Sequence, residues 1–111
     1  MRNIKFRAKD VAGNWLFENL QQSNIQKSTL CEFTGFFDST GKEIFENDIL
    51  EKDCQCHKLY KRGKVIMENG AWQILYPDNG FSSLYWSLYH YSFKIVGNSF
   101  DNPELAEVKQ C

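Results

Sequence analysis

Cys54-Gln55-Cys56-His57 gathers two thiols and an imidazole, the donors that zinc prefers. Structural zinc sites usually separate paired cysteines by about two to four residues, whereas here a single residue, Gln55, stands between them. The remaining donors, Cys31, His90 and Cys111, are distant in sequence. The expectation is a loop with free thiols and no tightly bound metal. No cofactor is expected either, because the chain carries no glycine-rich phosphate loop. Asp38, Asp48 and Asp101 are the acids that could do proton transfer or hold a cation. Each lies in a turn or cap context, where a carboxylate is explained by accepting backbone N–H groups. Neither His57 nor His90 has a Ser or Cys placed to suggest a triad, and the adjacency of Cys56 and His57 does not make their side chains face each other. The residues therefore point to no catalytic set, and the chain is expected not to be an enzyme.

Binding chemistry is better represented. Lys58, Tyr60, Lys61, Arg62 and Lys64 interleave an aromatic ring with cations, a pattern suited to phosphate contact and base stacking. Against it stands a net charge of −1, since a domain built mainly to grip nucleic acid is usually basic. The same cations could keep a strand edge soluble. Arg2, Lys5 and Arg7 form a second cationic stripe, with Lys5 and Arg7 expected on the outward face of a first strand and paired with carboxylates. Leu84, Tyr85, Trp86, Leu88, Tyr89 and Tyr91 are more aromatic than one short element needs. Exposed apolar patches mark contacts with partners, and Tyr and Trp are frequent anchors in them. Trp86, Tyr89 and Tyr91 are the protein-interaction candidates; the equal alternative is that the segment serves as a lid over the barrel mouth. The reading favours a homo-oligomer or another protein partner, with nucleic acid as the alternative and no membrane.

These residues must be held by a scaffold. One domain spanning 1–111 suits the length, and an aromatic content of 15% leans towards strands. Ile4, Phe6 and Ala8 alternate with Lys5, Arg7 and Lys9, so the first group is expected inward. Trp15-Leu16-Phe17 begins a second strand, and a further short one is placed near Ile25. Cys31 to Phe37 is apolar and runs into the turn Asp38-Ser39-Thr40-Gly41. Asn47 suits a left-handed backbone between two further segments. Asn69-Gly70 predicts a two-residue hairpin, with Met67 facing Trp72 and Val65 facing Ile74. Val65, Met67, Trp72, Ile74 and Tyr76 then share the core face. Pro77 to Gly80 breaks the sheet. Phe81, Leu84, Tyr85, Leu88 and Tyr89 follow helical spacing, although they are aromatic enough for a strand. A short helix near 82–90 places Leu84, Tyr85 and Leu88 inward and Trp86 outward. A last strand surrounds Lys94-Ile95-Val96. Asn102-Pro103-Glu104 predicts a short C-terminal helix, with Asn102 as its cap. Met1 to Asp10 has no apolar core of a signal peptide, and no stretch is long enough to span a membrane. A cytoplasmic protein with reduced thiols is expected.

Three stretches resemble the YopX family of phage and prophage proteins. The first is Ile4-Lys5-Phe6-Arg7-Ala8 with Asp10, although the family usually has Trp where this chain has Lys9. The second is Phe33-Thr34-Gly35, Asp38, and Gly41 through Ile49; the family usually has Gly in place of Asn47, which keeps tolerance for positive φ. The third is Ile95-Val96-Gly97-Asn98-Ser99-Phe100-Asp101-Asn102-Pro103-Glu104-Leu105, where the family usually has Glu in place of Asp101. They occur in the family's order and reach from end to end of the chain. The resemblance implies a mainly β fold of antiparallel sheets with an SH3-like barrel. It divides the chain into an N-terminal β segment, about 1–32, packed on an SH3-like part, about 33–105. It implies a phage or prophage origin and a bacterial host's cytoplasm, but no activity and no site.

Overall fold

The computed structural model describes residues 4–18, 20, 24–53 and 62–106. Arg2, Cys54, Cys56, His57, Lys58, Tyr60, Lys61 and Cys111 lie outside the described residues. Within them nine strands form two antiparallel sheets. β1 (Phe6–Lys9), β2 (Trp15–Leu16), β3 (Cys31–Phe37) and β4 (Glu43–Phe45) form the first, in the order β2-β1-β3-β4. β5 (Asp48–Lys52), β6 (Arg62–Glu68), β7 (Ala71–Leu75), β8 (Phe81–Ser83) and β9 (Phe93–Asn98) form the second, in the order β8-β7-β6-β5-β9. One of the two sheets is a half-barrel; β8 and β9 are the edge strands of the second. The mainly β expectation holds. Ile25 makes only an isolated bridge to Asp10.

The hairpin is as its turn residues predict. Met67 faces Trp72 and Val65 faces Ile74, and both Asn69 and Gly70 have positive φ. Val65, Ile74 and Tyr76 are buried with Ile44, Leu50, Leu84 and Phe93, and Trp72 packs against them. Met67 departs from the expected core face. It is exposed, one pair from the Asn69-Gly70 turn, where Glu68 and Ala71 are exposed too. Gly63 permits close packing in β6: a Cβ there would collide with the Ile74 methyl and lie 3.0 Å from the Leu75 carbonyl.

The first strand corrects the expected faces. Ile4 and Phe6 are exposed, while Arg7 is buried beside Ala8. The cationic side of β1 is the one that looks onto aromatic rings: Lys5 over Phe33, Arg7 over Phe45 and Trp15, Lys9 over Trp15. Alternation separates the two faces of a strand but does not say which one meets a second layer. Ring faces attract cations, and carboxylates complete the arrangement. Lys5 pairs with Glu43 at 2.5 Å, Arg7 with Asp48 at 2.7 Å, and Lys9 with Asp101.

Among the described residues one α-helix, α1 (Leu84–His90), follows β8 directly, capped by the Ser83 hydroxyl, which accepts from the Trp86 N–H. Its buried side is Leu84 and Ser87, with Leu88 against the core. Tyr85, expected inward, is exposed and meets the edge of the Phe36 ring. One residue on a helix turns the side chain by about 100°, so Tyr85 leaves the narrow stripe that Leu84, Ser87 and Leu88 define. A 3-10 helix, Pro103–Ala106, ends the described chain. The Asn102 side-chain oxygen accepts from the Asn98 N–H at 3.4 Å.

Candidate functional site

The three acids do not meet in a cleft. Asp38 Oδ1 accepts from the Thr40 N–H, the Thr40 hydroxyl and the Lys42 N–H, and its Oδ2 accepts from the Ile95 N–H at 3.0 Å. Burial pushes this carboxyl up, but these bonds outweigh it and hold it below the ordinary value. The turn is thereby fastened to β9. Asp48 accepts from Arg7 and from the Phe45 N–H at 2.8 Å. Here burial dominates over the attraction of Arg7, and the carboxyl is pushed up. Asp101 accepts from Lys9, and from Trp15 Nε1 at 2.8 Å, which hold it down to about 2. Each carboxylate is spent on joining two parts of the chain. Among the described residues no group of three His, Cys, Asp or Glu is placed to hold a metal ion. Cys31 is buried, and burial pushes its thiol up, away from the reactive thiolate.

The stretches that carry the family resemblance are bonded to one another. Arg7 of the first meets Asp48 of the second, and Asp38 of the second holds Ile95 of the third. Within the third, Asn98 Oδ1 accepts from the N–H groups of Phe100 and Asp101, and Asn98 Nδ2 donates to Asp101. Gly97 leaves room for Asn102, whose side-chain oxygen would lie 2.5 Å from any Cβ at that position. These residue types are required by the architecture.

Of the basic run, Arg62 and Lys64 are described. Arg62 donates to Glu51 at 3.2 Å, and Lys64 is half-buried in β6 between Ile49 and Leu75. The structure does not bring these two together with the aromatic residues of α1 in one hydrogen-bonded group. The aromatic segment forms the surface feature. Trp86 is 50% exposed and Tyr89 78%, and Tyr91 is exposed beside them. Trp86 stacks on His90 with centroids 4.3 Å apart and meets the edge of Tyr91 at 6.1 Å. The helical spacing of Trp86 and His90 made their contact legible in the sequence. Phe81, exposed at the start of β8, and Lys52, at the end of β5, belong to the same neighbourhood. Neither was among the sequence candidates. Lys52 arrives there because it pairs with Phe93 across β5 and β9, a long-range register that no local pattern encodes.

Fold and junctions together define a mainly β protein of two antiparallel sheets, one of them a half-barrel, closed on each other by buried and half-buried polar clasps. The YopX protein family model matches residues 3–107. The chain belongs to the YopX family. No curated protein matches it. Among the described residues, no helix is long and apolar enough to cross a membrane.

Proposed function

We propose that this chain is a phage- or prophage-derived, non-enzymatic interaction module of the host cytoplasm, and that α1 and the residue after it form its protein-docking face. One observation carries the reading: Trp86 and Tyr89 stand in solvent on a helix whose other side is already anchored by Leu84 and Ser87. A half-exposed Trp keeps much of its apolar area wet, and covering it with a second protein surface is favourable. The acids that could have served catalysis are committed to backbone N–H groups and cations, which supports the non-enzymatic reading. Nucleic acid is the weaker alternative, because the net charge is −1 and Arg62 Nε already donates to Glu51.

Self-association is the form that needs no unknown partner. Light scattering at high protein concentration is expected to show an oligomer that Trp86→Ala weakens, with the thermal midpoint of the variant close to that of the parent. A monomeric parent protein, or an oligomer indifferent to Trp86→Ala, would count against the α1 face.

A further inference from the structure

A cavity of about 250 Å³ opens beside the exposed helix face, lined by Lys52, Phe81, Ser82, Trp86, Ser87 and Tyr91 among others. Its chemistry is mixed. The aromatic residues supply apolar wall. Ser87 is only 1% exposed, and its hydroxyl lies 2.8 Å from that of Ser82, which is 3.1 Å from the Tyr76 hydroxyl. The Lys52 ammonium lies 4.2 Å from the Tyr91 ring centroid and 5.7 Å from that of Phe93. No carboxylate among the described residues forms an ion pair with it.

We propose that this cavity receives a single carboxylate of the docking partner, carried on a peptide segment with an aromatic side chain next to it. The proposal rests on the protein-docking reading and names the chemistry of the segment that docks. Lys52 supplies the charge for one carboxylate, and the half-exposed side chains of Trp86 and Phe81 supply apolar area for the neighbouring side chain. The volume suits one or two side chains rather than a folded surface. Charge complementarity favours a carboxylate over a polyphosphate chain. Nucleic-acid strands are gripped by several cations along the backbone. Among the described residues that line the cavity Lys52 is the one cation; exposed Asp53 follows it in the chain, and Asp78 lies in the turn beside the Gly80 rim.

The test uses the full chain and fluorescein-labelled tetrapeptides, acetyl-Gly-Glu-Phe-Gly-amide and its Gln counterpart, read by fluorescence anisotropy. The Glu peptide is expected to bind about fivefold more tightly than the Gln peptide, the order expected of one partly exposed ion pair. Lys52→Gln is expected to erase that preference and Lys52→Arg to retain it. The far-ultraviolet circular dichroism and thermal midpoint of both variants should match the parent. Equal binding of the two peptides, absence of binding, or a preference that survives Lys52→Gln would overturn the proposal. So would Lys52-dependent binding of an oligothymidine in preference to the Glu peptide. If the chain forms an oligomer that Trp86→Ala disrupts but does not discriminate Glu from Gln, the carboxylate assignment alone fails. If it neither associates nor binds either peptide, the docking reading fails with it.

Discussion

Arg7 shows how much one side chain can be asked to do. It is 8% exposed, its guanidinium lies 4.6 Å from the Trp15 ring centroid and 4.9 Å from that of Phe45, and it donates to Asp48 at 2.7 Å. Its Nε has no hydrogen-bond partner among the described residues, so part of its desolvation is not repaid. Buried ion pairs add little over apolar packing, but removing one partner strands the other charge. Arg7→Met is therefore expected to destabilise by roughly 3–5 kcal/mol. Adding Asp48→Asn to it should recover part of that loss, since the charge left behind is removed. Denaturant midpoints of the single and double variants decide the matter; a double variant less stable than Arg7→Met would show that the Asp48 charge was not the liability.

Between β4 and β5 the chain turns in two residues, and Asn47 takes φ 71° to do so. Its backbone is held from both sides, the N–H donating to the Val65 carbonyl at 2.8 Å and the carbonyl accepting from the Ser99 N–H at 2.9 Å. The turn therefore cannot relax into another conformation without breaking contacts to β6 and to the segment after β9. Only glycine and, less freely, asparagine occupy this region at low cost. Asn47→Val is expected to cost about 1–3 kcal/mol. Asn47→Gly should be neutral or mildly stabilising, its loss being a weak contact to Cys31 Sγ at 3.6 Å. Urea denaturation of both variants checks this; equal midpoints for Val and Gly would remove backbone strain as the reason for Asn47.

Across the whole molecule, the two ends of the described chain are tied together through Asp101, which accepts from Lys9 and Trp15. Its carboxyl is held at about 2 against an ordinary 3.8. A lowered folded value means that the unfolded chain binds the proton more readily as pH falls. The contribution of this clasp is thus fully present well above pH 3.8 and is lost as pH falls through about 2. Solvent screening at the half-exposed carboxylate keeps it modest. The stability difference between the parent and Asp101→Asn should be constant near neutrality, shrink below pH 3.8 and vanish only below about pH 2. A difference unchanged down to pH 2 would mean that the Asn variant loses shape rather than charge.

What could be read from the chain alone was everything governed by near neighbours. Asn69-Gly70 dictated a hairpin and its register because a two-residue turn leaves the flanking strands no choice. Gly41 and Asn47 announced left-handed turns, and the spacing from Leu84 to Leu88 announced a helix with Trp86 outside. The order of the Arg7, Asp48 and Asp101 stretches carried the family. Faces and distant pairings were decided only in three dimensions. Lys5, Arg7 and Lys9 looked like a solvated stripe until Phe33, Phe45 and Trp15 were placed beneath them. Tyr85 looked like core until Ser87 and Leu88 filled that side. Lys52 became part of a cavity only when β5 paired with β9 and brought Tyr91 under its ammonium. Local sequence fixes dihedral angles and alternation, which are properties of a few consecutive residues. Which face is buried, and which distant residues share a cavity, depends on the packing of one sheet against another.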